Sequence, residues 1–103
     1  MKDATLFELI DGGFFDDITF DDSWWRGGQF DMRRLEELYR IFSGRPYALK
    51  YNLKHHGMMP TWGIPRECKT VEESENIYKK CLEENITWEK ATGHKDPAGD
   101  ILL

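Results

Sequence analysis

The chain has 103 residues, of which 40% are hydrophobic and 14% aromatic, and it carries a formal net charge of −5. That length fits one domain with its own core, and so aromatic a composition excludes a disordered chain. The excess of acids argues against a protein held to nucleic acid by phosphate contacts.

The charge is unevenly spread. Residues 1–25 hold one Lys against seven acids, residues 26–69 nine Lys and Arg against four, and residues 70–103 four against eight. Two arrangements produce such a pattern. Acidic and basic segments fold against each other, or they divide the surface and select a charged partner.

In chain order, Asp3 is placed to cap a short helix through "ATLFELID", with Leu6, Leu9 and Ile10 inward, and Gly12-Gly13 ends it. "DITFD" alternates and predicts a short strand marked by Ile18 and Phe20. The corner "SWWRGGQF" follows. Asp31 caps the clearest helix, "MRRLEELYRIFS", in which Leu35, Leu38, Tyr39 and Phe42 form one stripe. Arg33–Glu37 and Glu36–Arg40 are spaced for ion pairs on its outside. Gly44 and Pro46 stop it.

"YALKYNLK" alternates strictly enough to predict a strand, with Tyr47, Leu49, Tyr51 and Leu53 on one face and Ala48, Lys50, Asn52 and Lys54 on a wetter one. "HHGMMPTWGIPREC" has no period and reads as a long loop. Thr70-Val71-Glu72-Glu73 is a capping box that opens a helix, with Val71, Ser74, Tyr78, Cys81 and Leu82 along its stripe and Asn85 as a left-handed stop. "ITWEK" is expected as a last short strand, Ile86 and Trp88 inward. The class is therefore α+β: a small antiparallel or mixed sheet of about three strands packed against two or three helices. Residues 1–95 are expected to form the single domain and 96–103 a flexible tail.

Cofactor and catalytic signatures are missing: no phosphate loop, GxGxxG, HExxH or GxSxG occurs. Cys68 and Cys81 stand apart from any CxxC pair, and no apolar run approaches the ~18 residues of a membrane span. A cytoplasmic protein with free thiols, no cofactor, no metal and no membrane partner is expected. His55 and His56 adjoin, and a pair on a strand points to opposite faces, which suits one metal ion poorly. Cys68 would act as a nucleophile only with a base and a cation beside it; otherwise it is an inert thiol.

Three groups of residues are candidates for contact. Adjacent residues on a strand point opposite ways, so one of Trp24 and Trp25 is expected inside and the other capping a second cluster or exposed. Trp24, Trp25 and Arg26, with Met58, Met59 and Trp62 of the long loop, form the partner-binding set, since Trp, Arg and Met are enriched at interfaces. Asp16, Asp17, Asp21 and Asp22 form an acidic surface. Arg45, Lys50, Lys54, His55 and His56 are the basic residues that could hold a small anionic ligand such as a nucleotide.

"FDDSWWRGGQFD" (residues 20–31) and, more weakly, "IYKKCLEENITWEKATG" (residues 77–93) resemble segments of small proteins encoded by bacteriophages. The resemblance covers about a third of the chain and carries no catalytic motif. It implies an accessory protein, a class that often binds and blocks a host enzyme or a defence complex and sometimes binds a nucleotide. The expectation is a small acidic interaction protein that inhibits a larger host or defence protein through its Trp/Met loops and acidic first segment. A nucleotide-binding protein is the alternative.

Overall fold

A computed structural model of the chain describes residues 5–56 and 65–96. Among them are five α-helices and one two-stranded antiparallel sheet. The α+β class therefore holds, but the sheet has two strands rather than three. Met58, Met59 and Trp62, and residues 97–103 of the expected tail, lie outside the described residues.

Helix α1 spans Leu6–Asp11 and is capped by Thr5, whose hydroxyl accepts from the Glu8 N–H at 3.2 Å. Asp3, the expected cap, lies outside the described residues. Leu6 is buried, and Leu9 and Ile10 pack against the core from its edge. Gly13, at φ +80°, opens the turns that follow. Phe14 and Phe15 meet edge to face there, with ring centroids 4.9 Å apart. "DITFD" does not become a strand. Ile18 is buried as expected, but among the described residues no strand pairs with this segment, and an isolated extended segment is not a sheet.

The sheet forms instead at the tryptophan corner. A single 3₁₀ turn, Asp22–Trp24, is capped by Asp21 and leads into β1 (Trp25–Arg26), which pairs with β2 (Gln29–Phe30). Gly27 and Gly28 join the strands at φ +57° and +82°. Two consecutive positive φ angles define the tightest hairpin turn, which glycine enters without strain.

Helix α2 spans Met32–Ile41, and Asp31 accepts from the Arg34 N–H at 3.2 Å as its cap. Leu35, Leu38 and Phe42 are buried and Tyr39 is half-buried, as the stripe predicts. On the outer face Arg40 pairs with Glu37 at 2.8 Å rather than with Glu36.

The largest correction is α3, Pro46–His56, which occupies the segment read as the central strand. Ala48, Leu49, Tyr51, Asn52 and Leu53 are all buried, so this helix is covered on most sides and shows no single apolar stripe to betray it. Two local features start it. Pro46 stands at the first helical position, where its fixed φ and missing N–H are an advantage. The next two N–H groups, of Tyr47 and Ala48, donate to the Glu75 carboxylate at 3.0 and 2.9 Å. Glu75 belongs to α4, so the cap is supplied across the helix interface rather than by a neighbour in sequence.

Helix α4 spans Val71–Glu84. Thr70 accepts from the Glu73 N–H at 3.1 Å, Glu73 reaches back to the Lys69 N–H at 3.0 Å, and Asn85 ends the helix at φ +54°. Ser74, Tyr78 and Cys81 are buried; Val71, expected on the stripe, is exposed at the first turn. "ITWEK" is likewise helical: Thr87 caps α5, Trp88–Thr92, by accepting from the Lys90 N–H at 3.2 Å. The Thr87–Lys90 spacing is that of a helix start, and it prevails over the apolar alternation.

Helices α3, α4 and α5 meet around Tyr51, Tyr78, Cys81 and Trp88, each at most 2% exposed. Tyr51 Oη accepts from the Trp88 N–H at 2.8 Å and donates to Asp96 at 2.7 Å. The Trp88 indole N–H donates to Glu67, which ties the segment before α4 to α5. No described helix is long and apolar enough to cross a membrane.

Candidate functional site: the tryptophan hairpin and the outer face of α2

The two adjacent tryptophans divide where the 3₁₀ turn, ending at Trp24, gives way to β1, beginning at Trp25. Trp24 is 3% exposed and Trp25 51%. Trp24 is thereby removed from the contact set, because its ring is core. It stacks on Phe30 at 5.7 Å and 10°, meets Phe20 edge-on at 5.0 Å, and carries the Arg34 guanidinium 3.9 Å above its face. Arg34 also donates to the Ser23 carbonyl and hydroxyl, at 2.9 and 3.1 Å, and Ser23 in turn bonds Asp21. The backbone closes the same corner through the Asp31 N–H and the Trp24 carbonyl at 2.7 Å.

Trp25 rides on this base. Its ring meets Phe30 edge to face at 5.4 Å, while half of the residue remains in water. The Arg26 side chain is 85% exposed and lies 3.4 Å from Asp31. Next to it, Arg26, Asp31, Arg33, Glu37 and Arg40 border an open groove of about 580 Å³ along α2. A second groove, of about 470 Å³, shares Glu36 and Arg40 with the first and continues to Leu6, Phe7 and Tyr39. Phe7, at 60%, is the most exposed large apolar residue among those described. Sequence reasoning missed it: it was counted in α1 but assigned no role, and its exposure depends on how that short helix docks.

Asp16, Asp17, Asp21 and Asp22 are all exposed, and two of them also serve the fold. Asp17 forms an ion pair with Lys50 at 2.8 Å, and this hydrogen bond holds its carboxyl below the usual value. Asp21 serves the 3₁₀ turn, and the hydrogen bond from Ser23 lowers its carboxyl too. Asp16 and Asp22 are exposed. At Asp17–Lys50 the first acidic segment does fold against the basic middle of the chain, one of the two arrangements the charge pattern allowed.

Of the basic set, Lys50, Lys54, His55 and His56 belong to α3, and Lys50 and Lys54 both act on Asp17. Arg45 is half-buried and donates to the Ile41 carbonyl at 2.9 Å; burial lowers its proton affinity, and Glu75 opposes that effect. The Lys50 side chain, 15% exposed, sits 4.8 Å above the Phe14 ring while it pairs with Asp17. Lys54 is exposed, and the His55 ring lies 4.4 Å from that of Tyr51. The side chain of His56 lies outside the description. None of Arg45, Lys50, Lys54 or His55 borders either groove beside the hairpin.

Cys68 is half-buried, and burial together with Glu73 and Glu67 pushes its thiol up to about 11, so it is protonated at neutral pH. Burial raises Cys81 as well. No group of three or more His, Cys, Asp or Glu among the described residues could hold a metal ion.

Comparison with protein-family models, with curated proteins and with solved structures yields no match to this chain.

Proposed function

We propose that the chain is a small interaction protein that binds a larger protein and blocks it, with the Trp25–Arg26 hairpin as its contact. One observation carries this reading. A half-exposed tryptophan and an arginine whose side chain is 85% exposed stand side by side on a hairpin fixed from beneath by the Phe20–Trp24–Phe30–Arg34 stack. Tryptophan and arginine dominate binding hot spots, and a pre-ordered presenter loses little freedom when it binds. The resemblance of residues 20–31 and 77–93 to bacteriophage proteins supports a host or defence protein as the partner. The nucleotide reading has less support, because two of the cations named for it, Lys50 and Arg45, are engaged by Asp17 and the Ile41 carbonyl.

Affinity capture from a bacterial host lysate with the wild type, Trp25→Ala and Arg26→Ala tests it. The expected result is one saturable partner, held at least about tenfold less tightly by each variant, with unchanged thermal stability. Equal capture by all three proteins, or unfolding of Trp25→Ala, overturns the hairpin as the contact.

A further inference from the structure

We infer that the outer face of α2 pairs with the same face of a second copy of this chain, seating Phe7 of each copy in the other's groove. The first observation is the groove itself. Its wall is apolar at Leu6, Phe7 and Tyr39, its volume is about 470 Å³, and Phe7 stands 60% exposed at its rim. The most exposed apolar ring and an apolar recess thus adjoin on one surface, as a two-fold contact requires: each copy offers both knob and hole.

The second observation is the order of charge beside the groove. At 100° per residue Arg33, Glu36, Glu37 and Arg40 fall within roughly 100° of arc, opposite Leu35, Leu38 and Phe42. Read along the helix the signs are plus, minus, minus, plus. Laid antiparallel on itself with Arg40 against Glu36 and Glu37 of the second copy, this stripe places opposite charges together twice, by symmetry. Arg33 then faces Ser43 and Gly44, where α2 ends and its last carbonyls favour a cation. In direct register the stripe would instead set arginine on arginine and glutamate on glutamate. Glu36 and Arg40 border the apolar groove, so the paired charges and the seated ring share one contact.

The face is small. Helix α2 is about 15 Å long, whereas a stable dimer buries roughly 800 Å² per partner, so a weak, concentration-dependent pair is expected. Trp25 does not border this groove, so the inference does not rest on the proposed function. A dimer of this kind would carry two hairpins into solution.

Sedimentation of the full chain decides it. The mass should rise from 12.2 kDa toward twice that value as protein approaches about 1 mM. Phe7→Asp should remain a monomer with an unchanged circular dichroism spectrum. Glu36→Arg/Glu37→Arg makes the stripe wholly positive and Arg33→Glu/Arg40→Glu wholly negative. Each should be monomeric alone, and an equimolar mixture should form the pair. A wild type that stays monomeric at every concentration overturns the inference and leaves the groove to a different protein. A dimer that survives Phe7→Asp or either charge variant overturns it as well, since another face would then be holding the copies together.

Discussion

Trp88 and Trp25 are the same residue type in opposite circumstances. Trp88 is wholly buried, its indole N–H donates to Glu67, its ring lies 4.6 Å from Tyr78, and its backbone N–H is held by Tyr51. Trp25 touches one aromatic neighbour, Phe30, and leaves half its surface in water. The α3–α4–α5 junction spends every part of its tryptophan on stability, whereas the hairpin spends stability on holding a tryptophan outside. An apolar ring that stays exposed on a well-braced support is available for recognition, and one with all its groups satisfied is not.

The sharpest way to break this contrast is Trp88→Ala. It should cost about 3–5 kcal/mol, enough to threaten a fold of ordinary stability, as read by denaturant unfolding. A loss no larger than that of an exposed residue would mean that the junction is not the core. Tyr51→Phe comes next. It removes the oxygen that receives the Trp88 N–H and serves Asp96, and a buried donor left without a partner should cost about 1–3 kcal/mol. A neutral result would show that water or a neighbour replaces the hydroxyl.

A smaller effect concerns pH. Burial raises the Glu75 carboxyl above its usual value, against the opposing pull of the Tyr47 and Ala48 N–H groups and Arg45. A raised value means that the folded state binds the proton more tightly than the unfolded one. This contribution is fully present below the ordinary glutamate pKa and is lost as pH climbs through the folded value. Unfolding free energies across weakly acidic pH should therefore show a loss on the way to neutrality that Glu75→Gln abolishes. Identical slopes in both proteins would remove Glu75 as the cause. Smallest of all, Trp25→Ala should change stability by no more than about 0.5 kcal/mol, as a surface substitution does. A loss comparable to that of Trp88→Ala would make the hairpin a piece of the core and erase the distinction between the two regions.

Much of the chain was legible where a local signal and a pattern agreed. Asp31 with the Leu35–Leu38–Phe42 stripe gave α2, and Thr70 with Asn85 gave both ends of α4. The split between Trp24 and Trp25 was expected from strand alternation, but Trp24 sits in a 3₁₀ turn before the strand, and the hairpin itself was read only as a corner. Two of the failures share one cause. "YALKYNLK" and "ITWEK" alternate, and alternation was weighed above Pro46 and Thr87, each of which marks the start of a helix. Buried on most sides, α3 keeps only a narrow polar edge at Lys50 and Lys54, and those two positions fit alternation as well as a helical period. Its cap, Glu75, lies 28 residues from Tyr47.

By itself the sequence determined the caps of α1, α2, α4 and α5, the stops, the positive-φ turns and the segregation of charge, because these depend on residues within a few positions of one another. The tertiary structure alone decided that the middle segment is a helix, that Lys50 is spent on Asp17, and that Phe7 rather than Val71 borders a groove. Each of those outcomes is set by which surface a residue meets across the fold, and contacts between distant residues leave no periodic trace along the chain.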